Sequence, residues 1–202
     1  MKETNTKSNS LSLELLERIR DDYTVFMSVE NYQNLPPSEI KKALAVNGLV
    51  IRCLTNPPSN YREIAIYQNP MSIKYIKDLT DEEIKQSIKA EPLAIRHIKA
   101  PNKETTLLAV SLFTNAIDSI KDPSEEVKLL TIIKSNNHEE LTNESDMGLL
   151  ALTYRFLCKN KLIFCSALAK SNDFKSLEEI IIIKEKIRRQ IIHKHPALEA
   201  YI

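Results

Sequence analysis

The chain has 202 residues, 43% hydrophobic and 27% charged, with a formal net charge of +1. That length suits one domain or one short array with a sizeable core, and the near-zero balance excludes a bulk electrostatic pull toward nucleic acid or membrane. Two glycines and no tryptophan argue against glycine-rich phosphate loops and tight β-hairpins.

Residues 1–10, MKETNTKSNS, are polar, lack a hydrophobic signal region and read as a disordered tail. Residues 11–34 begin helically, with Leu13, Leu16 and Ile19 on one face, and are expected to form an amino-terminal capping helix.

From Leu35 the sequence repeats every 22 residues without a gap: 35–56, 57–78, 79–100, 101–122 and a partial copy at 123–134, together 35–134. Position 9 is small or short: Ala43, Ala65, Ser87, Ala109, Thr131. Position 10 is apolar: Leu44, Ile66, Ile88, Val110, Ile132. Positions 17 (Ile51, Ile73, Ile95, Ile117) and 20 (Leu54, Ile76, Ile98, Ile120) lie three apart, so they share a helix face, and position 17 is expected to be buried throughout. Position 14 is Gly48, Pro70, Pro92 or Thr114, preceded by Asn47, Asn69 or Glu91. Proline suits the first turn of a helix and asparagine suits its cap. Each repeat is therefore expected to hold two short helices, over positions 3–12 and 14–21, with breaks near Asn47, Asn69, Glu91 and Thr114. Thr80 and Glu83 are spaced as a capping box, and Asn102 and Ser124 precede acidic first turns.

Helices this short are marginal alone and must bury their apolar faces on neighbours. The expected fold is all-α: a solenoid-like stack of short helix pairs with capping helices at both ends. Leucine-rich repeats would need a strand with alternating apolar residues, whereas the apolar spacing here is helical.

The repeats resemble the short two-helix repeats of a widespread family of unknown function, found in tandem in bacterial, viral and protist chains. Residues 45–51 (AVNGLVI) and 68–73 (QNPMSI) carry the resemblance, which covers 35 to about 134. It implies a helical stack and no activity, and it brings no catalytic residues.

Residues 135–147 are polar and acidic and read as a loop; 148–202 read as a carboxy-terminal helical cap. Within the cap, 148–159 reads as a buried helix and 160–164 resembles 47–51 as a degenerate repeat. Residues 174–193 form the longest helical run, and His195-Pro196-Ala197-Leu198 repeats the break signature. Residues 147–168 are the most apolar stretch, but Arg155, Lys159 and Lys161 argue against a membrane span. Cys53, Cys158 and Cys165 form no CxxC pair and read as core residues in a reducing compartment. A cytoplasmic location is expected, delivery into a host cell being the variant.

Position 18 (Arg52, Lys74, Arg96, ending at Asp118) and position 21 (Thr55, Lys77, Lys99, Lys121) form a basic series on the second helix. It reads either as a row that could follow phosphates or as cations complementing helix carboxy termini. Position 19 varies (Cys53, Tyr75, His97, Ser119), as a half-buried edge or a ligand-contacting column would. The candidate binding residues are therefore Arg52, Lys74, Lys77, Tyr75, Arg96, His97, Lys99 and Lys121. His193 and His195 lack a third metal ligand, and no nucleophile motif occurs. No metal, cofactor or catalytic set is expected.

The expected function is a non-enzymatic protein–protein interaction scaffold, a phage protein or a bacterial effector acting on a host factor. The alternative is a nucleic-acid-binding helical repeat using the basic series. No aromatic residues are expected to interleave with the cations as stacking platforms, which weighs against that alternative.

Overall fold

The computed structural model describes residues 10–135, 146–159 and 174–202; the chain is all-helical, with no strand among the described residues. It divides into two compact units, Met1–Lys99 and Ala100–Ile202. The tail at 1–9, most of the loop expected at 135–147, the degenerate repeat expected at 160–164 and Cys165 lie outside the described residues.

The first unit contains α1 (Leu13–Asp21), α2 (Pro37–Val46), α3 (Ser59–Gln68) and α4 (Asp81–Ala90). A six-residue 3-10 helix follows each: Tyr23–Ser28, Gly48–Cys53, Pro70–Tyr75 and Pro92–His97. The second unit contains α5 (Lys103–Leu112) with the 3-10 helix Thr114–Ser119, then α6 (Glu125–Lys134), α7 (Asp146–Lys159), α8 (Phe174–Lys194) and a short 3-10 turn, Pro196–Leu198. Helices α2 to α6 are each 10 residues long and start at 22-residue intervals.

One extended residue separates the two halves of each segment. Asn47, Asn69, Glu91 and Phe113 all have φ between −149° and −144° and ψ between 96° and 108°. Each N–H donates to the carbonyl four residues back, closing the α-helix, and each carbonyl accepts from the N–H three residues on, opening the 3-10 helix. The side chains of Asn47, Asn69 and Glu91 accept from the N–H two residues on, at 3.0, 3.0 and 3.1 Å. Phe113 has no such acceptor, and the break falls there, at position 13 next to Thr114, the first residue of the 3-10 helix.

The second helices are six-residue 3-10 helices rather than the eight-position helices expected. Position 20 donates to the carbonyl of position 17, as Leu54 does to Ile51, and the chain then turns. Tighter winding rises about 2.0 Å per residue against 1.5 Å in an α-helix, so six and ten residues span comparable lengths. The turn ends in a left-handed residue at Asn56, Asp78 and Asp122, with φ of 48°, 52° and 55°. Asparagine and aspartate tolerate this region. Ala100, at the same position, does not adopt it.

The amino-terminal segment corrects the expectation of a single capping helix. Asp22 has φ −142° and ψ 107°, donates its N–H to the Arg18 carbonyl and accepts from the Thr24 N–H at 2.8 Å. A left-handed Asn31, φ 53°, comes nine residues later, as Asn56 does after Asn47. Residues 10–31 thus have the local geometry of the later segments, and the Tyr32–Asn34 turn is a three-residue insertion before Leu35.

Consecutive α-helices pack on one another: α1 on α2, α2 on α3 and α3 on α4 in the first unit; α5 on α6, α6 on α7 and α7 on α8 in the second. In the first unit the 3-10 helices form a second layer, each packed on the next. Position 10 fills the core as Ile19, Leu44, Ile66, Ile88, Val110 and Ile132, none more than 1% exposed. Position 17 is buried at Phe26, Ile51, Ile73 and Ile95 but only half-buried at Ile117. Among the described residues no 3-10 helix follows α6 as one follows α3 and α4. Small residues at position 9 admit the preceding 3-10 helix: Ser87 Oγ donates to the Pro70 carbonyl at 2.7 Å, and a Cβ on Gly48 would come within 2.4 Å of the Ala65 carbonyl. Arg18 occupies position 9 in the first segment and is exposed; no earlier segment packs there among the described residues.

In the second unit, α7 buries Met147, Ala151, Tyr154 and Arg155 and leaves Phe156 exposed, so it is one-sided rather than fully buried. Arg155 donates to the Ile132 carbonyl at 3.2 Å, and Tyr154 Oη to the Ile202 carbonyl at 3.0 Å. At the end of α8, His195 donates its N–H to the Ile191 carbonyl and accepts from the Leu198 N–H, the same exchange as at Asn47.

Candidate docking face

The 3-10 layer of the first unit carries most of the candidate residues. In the stretches 48–54, 70–76 and 92–98 (positions 14–20) there is no carboxylate at all. Acids occur beside these stretches, at Asp78 and Glu91, and in the α-helices, where they mix with cations such as Lys41, Lys42 and Lys85. A net charge of +1 therefore coexists with three stretches that carry cations and no acid.

Arg52, Lys74, Lys77, Arg96 and Lys99 are exposed, and Tyr75 and His97 are half-buried. The structure brings several of them together. The Arg52 guanidinium donates to the Tyr23 hydroxyl and lies 5.8 Å from the Tyr23 ring centroid and 5.3 Å from that of Tyr75. Lys74 Nζ lies 4.7 Å from the Tyr75 centroid. Arg96 donates its Nε to the Leu93 carbonyl at 3.1 Å, leaving the outer fork of its guanidinium free of that bond. His97 has its pKa lowered, first by burial and then by the charges of Arg96 and Lys74, which places these three groups in one electrostatic neighbourhood. None of the five cations pairs with a carboxylate among the described residues.

Tyr23 and Tyr75 do interleave with the cations, against the expectation that no aromatic residue would. Tyr23 is hidden in the sequence because the Tyr32–Asn34 insertion sets residues 10–31 out of register with the later segments. Its signal was present in the Ile19 and Phe26 spacing, which matches positions 10 and 17.

Beside Tyr75 a polar cleft of about 630 Å³ is lined by Asn56, Arg62, Lys77 and Asp78. Its floor is fixed by the ion pair of Arg62 Nε with Glu83 Oε1 at 3.0 Å. Glu83 also closes the capping box, accepting from the Thr80 N–H at 2.9 Å. Lys121 is exposed in the second compact unit, next to the left-handed Asp122.

The remaining reactive side chains have structural surroundings. Cys53 is buried, and burial pushes its thiol pKa up, away from the reactive thiolate. His195 faces carboxylates, with Nδ1 3.6 Å from Glu126 and Nε2 4.0 Å from Glu125. Among the described residues no three His, Cys, Asp or Glu side chains could hold a metal ion, and no helix is long and apolar enough to cross a membrane. No family model, curated protein or solved structure matches the chain.

Proposed function

We propose that the chain is a non-enzymatic protein-interaction scaffold, a solenoid-like stack of helix pairs that engages its partner through the 3-10 face. The observation that carries this is a fixed frame with a varied surface. The break geometry recurs from Asp22 to Phe113, while position 19 changes from Cys53 to Tyr75 to His97 on the same frame. Repeat arrays present extended binding surfaces on such a frame, and here the variation reaches the surface at the half-buried Tyr75 and His97, Cys53 being buried.

The test is affinity capture from lysate with two baits, the native chain and a Lys74→Glu/Arg96→Glu/His97→Ala variant, read by mass spectrometry. A partner captured by the first and lost with the second is the expected result. An identical set from both baits would reject this face as the docking surface. Nucleic acid is the second candidate partner, favoured by the exposed cations that recur at positions 18 and 21.

A further inference from the structure

The geometry points to a carboxylate-rich, extended peptide segment of the protein partner as the ligand of the Arg52–Lys74–Arg96 row. This inference rests on the scaffold reading above and specifies its occupant.

Charge comes first. The row projects from a layer with no carboxylate in positions 14–20, so its cations meet no acid from their own stretches. Surface arginines in folded chains commonly find a carboxylate nearby; here three consecutive segments each leave a cation unpaired on one face. Of the acids of α4, Glu83 is occupied by Arg62 and by the cap of its own helix.

Preorganisation comes second. Arg52 is held by the Tyr23 hydroxyl and by the rings of Tyr23 and Tyr75, and Arg96 is held through Nε by the Leu93 carbonyl. Immobilising a long side chain on binding costs about 0.5–1.5 kcal/mol, and a side chain already held gives up less. A guanidinium held at one edge presents its remaining N–H fork to a planar carboxylate, which it meets bidentately. The polar cleft beside Tyr75 adjoins the row; its wall carries Lys77 and the carboxylate of Asp78, so it suits a neutral polar side chain of the same peptide.

Stacking favours a peptide over nucleic acid. Same-face side chains of an extended peptide recur about every 6.6 Å, with uncharged residues free to pass between contacts. The Tyr75 ring already carries Arg52 and Lys74, so a base could stack there only by displacing one of the protein's own cations.

The test is fluorescence anisotropy on the full chain with three labelled probes: a Glu-Ser repeat peptide, the matching Gln-Ser peptide and an oligothymidylate of similar length. Titrations run at about 50 mM and 200 mM salt, across which electrostatic binding weakens strongly. Micromolar binding of the Glu-Ser peptide at low salt, with no binding of the Gln-Ser peptide, is expected. Arg52→Lys and Arg96→Lys keep the charge and remove the fork; each should weaken Glu-Ser binding about tenfold if carboxylates are held bidentately. Each variant is checked for an unchanged far-ultraviolet dichroism spectrum. The His97 imidazole, followed by NMR, should titrate at higher pH with Glu-Ser bound, because a docked anion opposes the charges of Arg96 and Lys74. Equal binding of both peptides, or tighter binding of the oligothymidylate, would overturn the assignment. So would silence from all three probes. In that last case a partner still lost with the charge-reversed bait would leave the scaffold standing with a different ligand, whereas identical capture by both baits would remove the docking face itself.

Discussion

Burial separates residues that look equivalent in sequence. Ile95 is 1% exposed while Ile117, at the same position of the next segment, is half-buried. Ile95→Ala should cost about 2–5 kcal/mol, the usual range for truncating a fully buried isoleucine, and Ile117→Ala clearly less. Equal shifts of the denaturant midpoint would show that both sites are packed alike. A second single-residue effect is electrostatic. The Lys103 ammonium, 2.6 Å from Glu126, holds the Glu126 carboxyl down to about 2 against an ordinary 4.5. A lowered acid stabilises the fold above its unfolded pKa, and that stabilisation drains away as pH falls from about 4.5 to about 2. The stability difference between the native chain and Glu126→Gln should therefore shrink as pH falls across that acid window; a difference that does not change between about pH 4.5 and 2 would refute the pairing. The cations of the candidate site could be read from the sequence because they recur at one position. Tyr23 could not, because the segment that holds it carries Arg18 where the others carry a small residue, and three inserted residues shift it out of register.

The break between the two helices of a segment is a chemical device as well as a geometric one. Asn47 caps the 3-10 helix through its side-chain oxygen and also donates its Nδ2 to the Ile19 and Arg20 carbonyls, at 3.0 and 3.2 Å, satisfying the end of α1. Asn69 makes the same cap, through its side-chain oxygen to the Met71 N–H. Losing a helix cap costs about 0.5–2 kcal/mol. Asn47→Ala should therefore destabilise more than Asn69→Ala in chemical denaturation, since it leaves orphaned carbonyls on a neighbouring helix. The reverse order would mean that the α1 bonds contribute nothing. The positions of the α-helices were legible because the apolar spacing repeats over 37–46, 59–68 and 81–90, joined by a capping box and first-turn acids at 81–90. The tighter winding of the second helices was not. Proline, apolar and cationic residues in a run of six fit either helix type, and the closing bond is decided by packing on the neighbouring 3-10 helix.

At the scale of the molecule, a near-zero total charge is compatible with a markedly basic face on the first compact unit. The two compact units meet in sequence between Lys99 and Ala100, one residue from the end of a segment and at the one turn that lacks a left-handed residue. Within the first unit, each α-helix and each 3-10 helix touches its successor, so contacts stay local in sequence, the condition for fast folding. A constant register with the same break geometry and a short residue at most junctions has an evolutionary consequence as well. The chain carries its own ruler: recombination that inserts or removes 22 residues joins surfaces that already fit, and an insertion between segments is absorbed, as at Tyr32–Asn34, whereas a truncated segment leaves its neighbours without a matching face. Tandem duplication of residues 57–78 should accordingly yield a folded protein, with undiminished helical dichroism per residue and a melting temperature at or above that of the native chain. Duplicating 57–72 instead should leave it misassembled, and equal tolerance of both insertions would show that the spacing is an inheritance without mechanical meaning.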